Sequence, residues 1–89
     1  MIRMFIRHNV HNYTEWRKVY DGFDSTRNKL GVKGHAVYRD VDDHNNVTVW
    51  HDFEAVEAAK ALAGSDQLKE AMKDAGVVGA PTIWFTEPA

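Results

Sequence analysis

The stretch His35–Phe53, HAVYRDVDDHNNVTVWHDF, constrains the possible folds of this chain more than any other. Two arms rich in Val, Tyr and Trp flank Asp42-Asp43-His44-Asn45-Asn46, a run with the residue types of a turn. β-Branched and aromatic residues suit a pleated, half-buried surface, so the pattern predicts a β-hairpin. Alternation puts His35, Val37, Arg39 and Val41 on one face of the first arm, and Val47, Val49, His51 and Phe53 on one face of the second. The other face then carries Ala36, Tyr38, Asp40, Thr48, Trp50 and Asp52. The turn can hold three or five residues, and the two lengths give different registers.

The remaining segments supply partner strands and covering helices. Ile2 to His8 alternates, with Ile2, Met4, Ile6 and His8 on one face and Arg3, Phe5 and Arg7 on the other. Asn12 is placed as an N-cap, with Glu15 three residues on as in a capping box. Tyr13, Trp16, Val19, Tyr20, Phe23, Arg27 and Leu30 then recur at helical steps, which predicts one long amphipathic helix closed by Gly31. After the hairpin, Asp52 or Glu54 opens a second helical region with an apolar stripe of Ala55, Val56, Ala59, Leu62 and Ala63. Gly64-Ser65 interrupts it, and a third helix carries Leu68, Ala71, Met72 and Ala75 inward as far as Gly76. Gly64 and Gly76 are both expected to end helices in left-handed conformation. A last strand, Thr82 to Glu87, follows Pro81 and is expected at a sheet edge.

The order strand, helix, strand, strand, broken helix, strand is the βαββαβ arrangement of the ferredoxin-like α+β fold. It implies a four-stranded antiparallel sheet in the order fourth, first, third, second, with helices on one face. The 89 residues amount to one domain, small enough that a partner subunit would help burial. The uncovered sheet face carries Phe5, Tyr38, Trp50, Thr82 and Trp84, an aromatic load that a homodimer packed sheet to sheet would bury. A formal charge of −2 gives no basic footprint for nucleic acid. The absence of cysteine excludes thiolate chemistry and leaves the cytoplasm as the default compartment. The arginines in MIRMFIRHNV make that segment a strand, not a signal peptide or membrane span.

Arg7-His8, Asn12-Tyr13-x-x-Trp16, Asp21-Gly22-Phe23-Asp24, Val37-Tyr38-Arg39-Asp40 and Ser65-x-x-Leu68-Lys69-x-Ala71-Met72-x-x-Ala75-Gly76-Val77 together resemble the small dimeric α+β barrel proteins. That superfamily includes antibiotic-biosynthesis-type monooxygenases, stress-responsive barrel proteins and a plant polyketide cyclase. The resemblance spans nearly the whole chain, and most of the shared positions are fold-making. It implies a pocket between sheet and helices for an aromatic or polyketide-like molecule, without metal or prosthetic group. It assigns no catalytic set residue by residue.

Candidates for chemistry come from polar residues on the face that should be dry: His8, His35, Arg39 and His51. Burying such groups without partners costs ~1–3 kcal/mol each, so they need partners, solvent or a site. One reading puts the histidines at strand ends, satisfied by backbone or water. The sharper reading pairs His51, as proton acceptor, with Arg39 as a fork for an enolate or carboxylate, the two being neighbours on adjacent strands. Arg39 would then lower the proton affinity of His51. Across the pocket stand Tyr20 as a further catalytic candidate and Trp16, Tyr13 and Phe23 as walls, with Asp24 one helical turn from Tyr20. Such an aromatic stripe is more often a core than a ligand box. Should His51 and Arg39 face solvent, the site falls to His8, Tyr13 and His35.

No metal site is expected, because His8-x-x-His11 lacks a third ligand and the Asp42–Asn46 run lacks the Gly and terminal Glu of a calcium loop. Dinucleotide, P-loop, HExxH and nucleophile-elbow motifs are absent. The leading expectation is a cofactor-independent monooxygenase- or cyclase-like enzyme. A non-catalytic dimer that binds a hydrophobic ligand or serves a stress role competes with it. Haem binding through His8 or His51 is a third.

Overall fold

The computed structural model describes residues 1–89. Its elements are β1 (Ile2–Val10), α1 (Tyr13–Gly22), α2 (Asp24–Lys29), β2 (Gly34–Arg39), β3 (Asn46–Phe53), α3 (Val56–Ala63), α4 (Asp66–Asp74) and β4 (Val77–Thr86). They form one antiparallel sheet in the order β2-β3-β1-β4 with the helices on one face, the ferredoxin-like α+β fold expected from the element order. No helix is long and apolar enough to cross a membrane.

The hairpin register follows from its turn. Asp40 N–H donates to the Asn46 carbonyl, so Val41–Asn45 forms a five-residue turn. Asp40 braces it by accepting from the backbone of Asp42 and Asp43. His35 therefore sits opposite His51, Val37 opposite Val49, and Arg39 opposite Val47. Inward parity runs through Met4, Ile6, His8 and Val10 of β1 and Val47, Val49, His51 and Phe53 of β3, all buried.

Three local expectations are corrected. The long helix breaks at Phe23, whose ψ of 0° leaves α2 to start afresh at Asp24. The break frees the Tyr20 carbonyl from a regular helical partner, and the Arg27 guanidinium donates to it at 2.6 Å. Asp52 and Glu54 do not open α3. Asp52 is the last outward residue of β3 and holds Arg3 by two hydrogen bonds, while Ala55 stands at the helix start without a side-chain cap. β4 begins at Val77, five residues before Thr82, because Pro81 is taken up in a bulge. There, the step from Arg7 to Asn9 is matched by the four-residue step from Thr82 back to Val78, with Gly79 at φ +74°.

The helix ends divide likewise. Gly76 has φ +79° and closes α4 as expected, but Gly64 has φ −94° and is not left-handed. Asn12 and Ser65 cap α1 and α4, accepting from the backbone N–H of Glu15 and Leu68.

Two hydrophobic clusters lie between sheet and helices. One gathers Met4, Ile6, Val32, Phe53, Ala59, Leu62 and Leu68, and the other Val10, Trp16, Val47, Val49 and Ala75. Where they meet, packing is incomplete.

Candidate functional site

The gap between the clusters is a cavity lined chiefly by apolar side chains, among them Ile6, Trp16, Val19, Phe23 and Met72. Four polar-bearing residues also line it: His8 from β1, His51 from β3, Tyr20 from α1 and Arg27 from α2. About 50 Å³ of it is accessible to water. Drug-sized ligands occupy pockets of roughly 300–1,000 Å³, so a ligand requires the half-buried Phe23 and Met72 to give way.

Tyr20 is the hub. Its hydroxyl lies 3.1 Å from His51 Nε2 and 3.0 Å from His35 Nδ1, bridging the cross-strand pair of imidazoles. Its ring stacks on Trp16 at 4.9 Å between centroids, and the Arg27 guanidinium lies 3.9 Å from the ring centroid. Burial pushes the phenol up to about 12, so it stays protonated at neutral pH. His51, with burial as the main cause and Arg27 and His35 adding repulsion, is pushed down to about 3 and is a neutral imidazole.

Arg27 is the cation of the site, 2% exposed. Besides the Tyr20 carbonyl, it donates to Asp24 Oδ1 at 3.3 Å through Nη2. Its Nε has no partner, and neither has Nδ1 of His51 or Nδ1 of His8. These three are the buried side-chain nitrogens left unpartnered, and all three belong to residues lining this one cavity. His8 packs edge-on to Trp16 at 5.7 Å, and burial lowers its proton affinity against the pull of its own backbone carbonyl.

Arg39 does not meet His51. The five-residue turn places it four residues further along the register, opposite Val47, where its guanidinium donates to the His44 carbonyl and lies 3.9 Å from the Tyr13 ring centroid. His51 is neutral as anticipated, but burial and Arg27 cause this, not Arg39. Tyr13 packs on Trp16 and is not among the lining residues. Asp24 is exposed and turns to Arg27 and His35 instead of the cavity. Trp16, Tyr20, Phe23, His8 and His51 come together around the cavity, with His35 reaching it through Tyr20. Arg27 escaped assignment although it occupies an apolar-stripe position, three residues after Asp24. That placement was the available signal, since a lone Arg in such a stripe must be paired or buried at a cost.

No protein-family model matches the chain, and no curated protein matches it in sequence. Solved structures do match in shape. A protein from Bordetella bronchiseptica, provisionally described as an antibiotic biosynthesis monooxygenase, superposes with a TM-score of 0.82 at 16% identity, over 99% of this chain and 96% of that one. A provisionally described monooxygenase of the same kind from Caulobacter crescentus gives 0.77 at 19% identity, over 99% and 89%. SnoaB from Streptomyces nogalater, a cofactor-independent oxygenase crystallised as a point mutant, gives 0.76 at 13% identity, over 98% and 91%. At these identities the likeness establishes a shared fold, that of the antibiotic biosynthesis monooxygenase-like proteins.

Proposed function

We propose that this chain is a cofactor-independent small-molecule enzyme, an oxygenase acting on an acidic aromatic or polyketide-like compound held between sheet and helices. The observation that carries the reading is that three residues lining one apolar cavity, His8, Arg27 and His51, each hold a buried nitrogen without a partner. Each costs ~1–3 kcal/mol in the absence of a ligand, which a bound oxygen or acidic group would offset. The SnoaB likeness supports the class of reaction.

The chemistry follows from the roles available. An aromatic ligand with an acidic C–H conjugated to a carbonyl through the ring loses its proton to His51, and the oxyanion that forms lies against Arg27. That anion also cancels the repulsion that Arg27 exerts on a protonated His51. The resulting carbanion gives an electron to O2, and recombination of the two radicals, with return of one proton, yields a hydroperoxide. Loss of water leaves a new carbonyl, so that a methylene group and O2 become a ketone and water. We also place two copies of the chain sheet to sheet, because the outer face carries Phe5, Trp50 and Trp84.

The narrow cavity and the low proton affinity of His51 favour one alternative, a dimer that binds a hydrophobic molecule without turning it over. Oxygen uptake with an anthrone, in chelator and without added flavin, separates the two. Uptake of one O2 per anthrone above the spontaneous rate supports the oxygenase. Binding without uptake supports the alternative, and cyclase chemistry consumes no O2.

A further inference from the structure

We infer that His51, Tyr20 and His35 form a proton relay between the cavity and solvent, with Asp24 setting its direction. The relay deepens the oxygenase reading and rests on it for its purpose, but its geometry stands alone.

The Tyr20 hydroxyl has one proton and two imidazole nitrogens within hydrogen-bonding distance, at 3.0 and 3.1 Å. It therefore donates to one ring and accepts from the other. Asp24 decides which. Its Oδ1 lies 3.7 Å from His35 Nε2, the nitrogen not engaged by Tyr20, and favours a proton there. His35 Nδ1 is then the acceptor of the Tyr20 proton, and the Tyr20 oxygen accepts from His51 Nε2–H. Nδ1 of His51 is left as a bare lone pair, buried and unpartnered on a residue that lines the cavity.

A proton entering at that lone pair has a route out. The ligand C–H or O–H bond breaks as Nδ1–H forms on His51. Nε2–H of His51 passes to the Tyr20 oxygen, the former Tyr20 O–H proton passes to His35 Nδ1, and His35 Nε2–H leaves to water beside Asp24. The ligand keeps the electron pair, and one proton reaches solvent. His51, buried beside Arg27, is a poor place to store that proton, whereas the His35 side chain is 34% exposed. Handing the charge outward removes the difficulty.

The test uses the whole protein labelled with 15N-histidine and needs no ligand. Nitrogen shifts are expected to show the Nε2–H tautomer for both His35 and His51, and the buried His51 Nε2 proton should exchange with water several-fold faster than in His35→Gln. Tyr20→Phe, which keeps the ring that stacks on Trp16, should slow exchange equally and serves if the His35 variant fails to fold. A His51 Nδ1–H tautomer, or exchange unchanged in both variants, overturns the relay. With an anthrone, His35→Gln should lower kcat at constant KM, and added imidazole should restore it. Slowed exchange in a protein that turns over no anthrone upholds the relay and removes the oxygenase reading; unchanged exchange with normal turnover does the reverse.

Discussion

On its inner face the sheet buries His8 and His51 to 7% and 4% exposure among aliphatic side chains, whereas on its outer face it leaves Tyr38 and Trp84 at 57% and 39%. Each face departs from the ordinary partition of polar and apolar groups. The inner face gives up stability to nitrogens without partners; the Tyr20 hydroxyl engages the other ring nitrogen of His51, while Arg27 adds repulsion to a protonated ring. The outer face compensates in another way: Phe5 stacks on Trp84 at 5.1 Å, and Arg3, held by Asp52, lies 3.7 Å from the Trp50 ring centroid. Stacking and a cation–π contact shield these rings without removing them from water. On the proposed function, chemistry belongs to the inner face and association to the outer one.

The largest expected effect breaks the inner face. His51→Ala should lower anthrone turnover by roughly 10²–10⁴-fold, the usual contribution of a positioned proton-transfer group, while the protein remains folded by circular dichroism.

Acidification should expose the same face through stability. The folded-state proton affinities of His51, His8 and His35 all lie below the ordinary histidine value of 6.5. As pH falls below about 6.5, the unfolded chain takes up protons that the folded chain refuses, so stability declines toward pH 3. At ~1.4 kcal/mol per unit, His51 alone costs about 3 kcal/mol by pH 4. Urea midpoints followed from pH 7 to 4 measure this. His51→Phe should flatten the slope, and a wild-type slope of zero would mean that the histidines are well solvated.

On the outer face, Trp84→Glu should weaken self-association by about thirty-fold or more, the scale of a lost aromatic anchor of ~2 kcal/mol. Sedimentation of both forms at micromolar concentration reads it, and a monomeric wild type would leave that face without the role assigned to it. The smallest effect sharpens a helix end. Gly76→Ala should cost about 1 kcal/mol because its φ of +79° disfavours a Cβ, whereas Gly64→Ala at φ −94° should be nearly neutral.

Parity made the two faces legible from the chain alone. Period two in the strands separated His51 and Val49 from Trp50, and period 3.6 brought Trp16, Tyr20 and Phe23 toward them. Distance along the strands was not legible, because it hangs on turn length. A five-residue turn braced by Asp40 carried Arg39 away from His51 and set His35 in its place. The break at Phe23 was hidden for a related reason. Phe23 continues the helical stripe, and only the geometry of the break shows Arg27 closing on the Tyr20 carbonyl. Pro81 announced a strand edge correctly but not the bulge that lets β4 run past it.

His51 is a buried imidazole held by Tyr20, with the Arg27 guanidinium disfavouring its protonation. Its nitrogen shifts, followed by NMR from pH 8 down to the acid limit of the folded state, report its protonation state. The ring is expected to stay neutral down to about pH 4, in keeping with a value of about 3. A His51 ring that titrates near the ordinary histidine value of 6.5 while the protein stays folded would contradict this.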